Sequence, residues 1–204
     1  MKKVLCFFLA IIMLFGLFGC SSQKEPEFSL GTVANNTYTN EFLGIRFTLP
    51  AEWVFYTEEQ ILEVNNIVGD AVDEEVAKRL ENASIIYDMF ATHPADGSNM
   101  NINLEKINPI QMATLDIKQT LEAQIDTIKE GYNNLGYADT TVEYQKIQVD
   151  GKDFDALKLA SKIQGVDYYA TVFTFKKGDY LTSVSIGASQ ADKIDTILSY
   201  FTIE

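Results

Sequence analysis

Two cysteines, one histidine and only 16 basic side chains in 204 residues leave little material for several chemistries. Cys6 lies inside an apolar run near the start and Cys20 closes that run. The rest of the chain therefore offers neither a disulfide nor a thiol nucleophile. With His93 as the lone histidine, a zinc site would need mostly carboxylates, a poor match to that ion's usual ligands. The 16 Lys and Arg face 29 Asp and Glu, a net charge of −13. That balance argues against nucleic acid as a partner, because phosphate recognition draws on clustered Lys and Arg. A Gly-x-Ser-x-Gly elbow, a phosphate loop and a dinucleotide fingerprint are also missing.

What the chain does have begins at its start. Met1-Lys2-Lys3 precedes Val4 to Phe18, 15 residues without a charge, and Leu17-Phe18-Gly19-Cys20 closes the run. As a helix that run rises about 22 Å, short of a hydrocarbon core of about 30 Å, so it fits a cleaved signal better than a permanent span. The closing tetrapeptide resembles a lipobox, with Phe18 standing where a small residue is usual. The expectation is cleavage before Cys20 and lipidation of its thiol, with a simple secreted form or an uncleaved anchor as the alternatives. Removing residues 1–19 removes two lysines and no acid, leaving 14 basic against 29 acidic side chains in 185 residues, a net charge of −15. So acidic a body is poorly held by anionic lipid heads, and the covalent anchor would have to hold it at the extracytoplasmic face.

From Ser21 to about Thr37 the chain is polar and without apolar period, and it reads as a tether that would span roughly 23 Å as a flexible coil. The body, residues 38–204, reads as one domain with a sizeable core. Ile45, Phe47 and Leu49 alternate with polar residues as a half-buried strand that Pro50 stops. Thr57-Glu58-Glu59-Gln60 is a capping box opening a helix through Ile61, Val64 and Val68, and Val72, Val76 and Leu80 suggest a second. Ile85–Thr92 and Met100–Leu104 form a hairpin about the turn residues His93 to Ser98. Thr114 opens the longest helix, striped with Ile117, Leu121, Ile125, Ile128 and Tyr132. Strands over Val142–Val149, Phe154–Ile163, Val166–Phe175 and Tyr180–Ile186 follow, joined by short turns. Ser189 caps a last helix carrying Ile194, Ile197, Leu198 and Phe201. Short hairpin links demand antiparallel pairing, and long helices need a sheet face to cover. The fold class expected is α+β, a central antiparallel sheet with helices packed on it.

Tyr38-x-Asn40-x-x-x-Gly44-Ile45-x-Phe47-x-Leu49-Pro50-x-x-Trp53 resembles the opening of the PsbP-like superfamily, a group that includes an extrinsic subunit of photosystem II, a yeast Ran-binding protein and many bacterial lipoproteins. The resemblance extends to the later order of strands and helices, about residues 38–204. It implies an α/β/α sandwich and carries over no catalytic residue, since the characterised members act mainly by binding other proteins. The helices between Trp53 and Ile85 depart from the pattern, so partner surfaces do not transfer.

Side chains that could carry chemistry each have a plainer reading. His93 sits among turn residues and reads as solvated. Asp70, Asp73, Glu74 and Glu75 could gather a hard cation, but acids in a helix's first turn also complement its dipole. Asp150, Asp153 and Asp155 read as a hairpin turn. Tyr168, Tyr169, Phe173 and Phe175 lie on one strand, Tyr168 facing one side and the others the opposite side. Most strand aromatics are core, yet Tyr168, Tyr169 and Phe173 are the best ligand-facing candidates here. No cofactor and no metal are expected. The leading expectation is a lipid-anchored, non-catalytic interaction module whose partners are the membrane, through Cys20, and an envelope protein. The alternatives are a single-domain receptor for a peptide, sugar or lipid, favoured by any aromatic-lined cavity, and an envelope hydrolase using carboxylates alone.

Overall fold

A computed structural model describes residues 28–66, 80 and 82–204. The chain builds two antiparallel sheets and several helices, an α+β fold. The smaller sheet uses β1 (Thr32–Ala34), β2 (Thr37–Asn40) and β3 (Ile45–Thr48), and its fourth strand is β11 (Phe201–Ile203) at the far end of the sequence, in the order β1-β2-β3-β11. The larger sheet has seven strands, β4 (Val54–Phe55), β5 (Ile85–His93), β6 (Ser98–Lys106), β7 (Tyr137–Val149), β8 (Lys152–Ile163), β9 (Val166–Lys177) and β10 (Tyr180–Ala188). Their order is β4-β5-β6-β10-β9-β8-β7, so β10 closes the gap between two hairpin sets.

Alternation explains the large sheet. Along β6 Ser98, Met100, Ile102 and Leu104 are buried and the intervening asparagines are not, which gives one face to the core. Opposite Met100 and Ile102 stand Ile186 and Val184 on β10, in register. The smaller sheet packs on this face through rings: Phe47 lies 4.7 Å from Phe201, and Phe201 is set edge-on to Phe173 of β9 at 5.8 Å. Such paired rings add about 0.5–1.5 kcal/mol beyond the area they bury.

The helices lying wholly within the described residues are α1 (Glu58–Val64), α2 (Pro109–Thr114), α3 (Ile117–Asn134) and α4 (Ala191–Leu198). The capping box at Thr57 is complete: Gln60 N–H donates to Thr57 Oγ1 and Thr57 N–H to Gln60 Oε1. α1 buries only Ile61 and Leu62, so packing holds this short helix with roughly 3–6 kcal/mol, well above the ~1 kcal/mol of its cap. α3 lies along β7 and β8 while α4 lies against β9 and β10. Because Tyr132 of α3 meets Tyr168 and α4 shares a recess with Tyr169, the two helices cover opposite faces of the sheet.

The α+β fold expected is present, with a smaller sheet beside the central one because β11 returns to pair with β3. Three expectations change. Phe201 therefore belongs to a strand, and the last helix stops at Leu198, its N-cap being Gln190 with no side-chain bond where Ser189 was expected to cap. Thr114 ends the separate turn of helix α2, and Asp116 caps α3 by accepting from Gln119 N–H. Residues 28–34, read as tether, pack on the body: Phe28 stacks on Tyr180 at 5.0 Å, and β1 joins β2 through a turn in which Asn35 and Asn36 both take positive φ. The helix over Val72 and Val76 lies outside the described residues.

Candidate functional site

β5 breaks its alternation at one place, and the site begins there. Tyr87 pairs with Asn103 and Met89 with Ile102, so a β-bulge falls between them and leaves Asp88 without a register partner. The bulge turns Asp88 inward beside Met89, where it is 4 % exposed. A carboxylate so placed must be satisfied by neighbours. Tyr38 Oη–H donates to its Oδ2, Asn40 Nδ2 donates to the same oxygen at 2.8 Å, and Gly31 N–H donates to Oδ1 at 2.7 Å. Burial pushes the Asp88 carboxyl up despite these three donors, and burial together with the neighbouring Asp88 charge pushes the Tyr38 hydroxyl well above its ordinary value.

The network fixes a strap. Asn40 Nδ2 also donates to Ser29 O at 3.2 Å, so Asp88 and Asn40 together clamp residues 29–31 over the sheet. Gly31 passes so close to the ring of Tyr38 that a Cβ there would overlap the ring. The strap, the start of α1 and the bulged part of β5 enclose a cleft of about 830 Å³. Phe28, Leu30 and Val33 form one wall, Phe55, Tyr56, Ile61 and Leu62 another, and Tyr38, Asp88, Met89 and Phe90 the floor, with Leu80 beside them. Tyr56 stacks on Phe90 at 5.3 Å. Besides tyrosine hydroxyls, the ionisable groups among the described lining residues are Asp88 and Glu58.

A second recess of about 240 Å³ lies between α4 and strands β7 to β9, lined in part by Glu143, Lys158, Tyr169 and Asp195. Ligand pockets commonly measure about 300–1,000 Å³, and of these two recesses among the described residues the larger lies in that range.

The aromatic strand does not form a ligand-facing row. Phe173 is 0 % exposed, packed among Phe154 and Phe201 in the core, and has no face for a ligand. Tyr169 is half-buried beside the smaller recess. Tyr168 lies on the opposite face with Tyr132 and Tyr137, its ring laid across Gly187, where a Cβ would strike the hydroxyl. Its hydroxyl is pushed up by burial. His93, read as solvated, is half-buried: its ring meets Trp53 edge-on at 5.7 Å, and Nδ1 lies 3.0 Å from Asp96 Oδ1, close enough for a hydrogen bond but poorly aligned for one. Asp96 also takes Lys193 Nζ at 2.5 Å, joining the β5–β6 hairpin to α4. Partial burial would raise the Asp96 carboxyl, but Lys193 and Ser98 outweigh it and hold it well below the usual carboxylate range.

Asp150, Asp153 and Asp155 point to three separate partners, Ile203 N–H, Gln148 and the Tyr144–Lys146 pair, as a hairpin turn requires. Among the described residues no three of His, Cys, Asp and Glu gather as a metal would need. Asp70, Asp73, Glu74, Glu75 and Cys20 lie outside the described residues. Sequence reasoning missed Asp88. The available signal was a single acid within the otherwise apolar Ile85-Ile86-Tyr87-Asp88-Met89-Phe90-Ala91.

No protein-family model matches the chain, and a comparison with curated proteins gives no match. Solved structures similar to it include cyanobacterial PsbP from Synechocystis sp. PCC 6803, at 13% identity over 93% of this chain and 99% of that one, with a TM-score of 0.47. A protein from Bacteroides thetaiotaomicron is similar at 10% identity over 86% of this chain and 48% of its own, with a TM-score of 0.39. LpqN, a protein involved in cell envelope biogenesis of Mycobacterium tuberculosis, is similar at 10% identity over 78% of this chain and 82% of its own, also at 0.39.

Proposed function

We propose that the protein is a lipid-anchored, extracytoplasmic binding module that takes a small, mainly apolar molecule into the cleft between the strap and α1, without catalysis. One observation carries this reading: the cleft of about 830 Å³, walled by Phe28, Phe55, Tyr56 and Phe90 and floored by a buried polar network. Apolar walls with a few convergent polar groups are the usual make-up of a small-molecule site. The lipobox at Leu17–Cys20 supplies the anchor and the address. Export to a face rich in small solutes gives a single-domain receptor something to sample.

A second reading keeps the same rim but gives it to a protein partner. It rests on Val33 and Tyr56, which border the cleft and are exposed at 44% and 36%. The cleft's volume of about 830 Å³ favours the small molecule, since a docking patch needs no cavity.

An apolar fluorescent reporter such as N-phenyl-naphthylamine tests the proposal on the full chain in nanodiscs, with empty discs as blank. Saturable binding is expected, and Val33→Trp, whose indole takes up space at the mouth that the reporter needs, should weaken it about tenfold, ~1.4 kcal/mol. Binding that does not saturate, or that Val33→Trp leaves unchanged, would sink the cleft as a ligand site.

A further inference from the structure

The charges around the cleft narrow the ligand class, an inference that rests on the cleft reading above. Phe28, Phe55, Tyr56 and Phe90 line it and none of the four is fully buried, so each ring keeps some surface toward the space. Ring faces carry negative potential and attract cations within about 6 Å. Two carboxylates share the space, Asp88 on the floor and Glu58 at the start of α1, and no Lys, Arg or His stands among the described lining residues. The chain as a whole carries −13, so its long-range field has the same sign.

Asp88 accepts three hydrogen bonds, from Tyr38, Asn40 and Gly31, while two carboxylate oxygens offer about four lone-pair sites. One lone-pair site therefore remains on Asp88, which lines the cleft beside its apolar walls. An anion entering would meet the carboxylates, and no Lys, Arg or His among the described lining residues offsets them. A cation would meet them favourably, and would find ring faces on the walls.

We infer that the cleft selects a small organic cation with an apolar body, an ammonium seated among Phe28, Tyr56 and Phe90 above Asp88. Neutral apolar molecules fit the same walls with less affinity, and carboxylates or phosphates are rejected.

Three probes of similar shape separate the terms. Benzyltrimethylammonium is the cation, neopentylbenzene its uncharged isostere, and phenylbutyrate the anion. Each is titrated calorimetrically into the full chain in nanodiscs of an uncharged glycolipid, against empty discs. The cation is expected to bind roughly tenfold tighter than its isostere, the size of one well-placed cation–π contact, and phenylbutyrate weakest of all. Asp88→Asn should erase most of the preference. Because that change also disturbs the strap, Tyr56→Leu and Glu58→Gln serve as further variants, each expected to weaken the cation several-fold more than the isostere. Equal or tighter binding of the isostere or of phenylbutyrate overturns the charge selection while leaving the cleft a ligand site. If none of the three binds, and the naphthylamine reporter also fails, the cleft reading falls with it.

Discussion

Asp88 is the residue at which structure and chemistry are most closely joined, and its titration has an unusual sign. Most carboxylates in folded proteins are held down by partners, as Asp96 is by Lys193, and their stabilising share disappears as pH falls through the lowered value. Asp88 is held up by burial, so the folded state keeps its proton to higher pH than the unfolded chain does. Its share of stability is greatest below the ordinary carboxylate value of 3.8 and is lost as pH rises from there through the raised folded value. Asp88→Asn removes this dependence. An amide also turns an N–H toward either Gly31 N–H or the Tyr38 and Asn40 donors, which leaves a buried donor unpaired at a cost of about 1–3 kcal/mol. Urea unfolding of the wild type and Asp88→Asn across that pH range should therefore show the wild type's advantage shrinking as pH rises. A constant or growing advantage would mean that the carboxyl is not held up by burial.

At the scale of elements, β11 does the joining. It follows α4 after a two-residue turn, pairs with β3, and sets Phe201 between Phe47 of the small sheet and Phe173 of the large one. Phe201→Ala should cost about 3–5 kcal/mol, the range for a core phenylalanine, and should loosen the small sheet first. Hydrogen exchange would report this as lost protection in β3 before β9; uniform loss, or a cost under ~1 kcal/mol, would argue against that role. Reading the sequence alone locates the long hairpins well, because period-two alternation and the turns at Asp150-Gly151, Gln164-Gly165 and Lys177-Gly178 are local signals. It misses β11, because Phe201 continues the helical spacing of Ile194, Ile197 and Leu198 and no Gly or Pro marks the stop at Ser199. It misses β1 because an Asn35-Asn36 turn between two short polar strands looks like linker. The cleft is the least legible part: the Asp88 bulge is set by register against β6, and the strap meets β5 across a sequence separation of 57. Tyr38 and Asn40 stand in the resemblance pattern, yet their shared task of holding Asp88 appears only in three dimensions.

For the whole molecule, charge and anchorage have to be considered together. Among the described residues no helix is long and apolar enough to cross a membrane. An acidic body gains nothing from anionic lipid heads, since polybasic segments are what such surfaces attract. If Cys20 carries the lipids, attachment is hydrophobic, and salt should not disturb it: screening shortens the reach of surface charge to about 8 Å at physiological ionic strength but leaves acyl chains in place. Expressed as the full chain in a bacterium that processes lipoproteins, the protein should pellet with membranes, resist molar salt, and incorporate labelled palmitate. Cys20→Ser should abolish the label and the lipoprotein cut, leaving either an uncleaved apolar segment still in the membrane or a released body. The label decides between these. Palmitate retained by Cys20→Ser, or a wild type released by salt alone, would remove the anchor from the account and leave the cleft to be explained in a protein that reaches its ligand by diffusion.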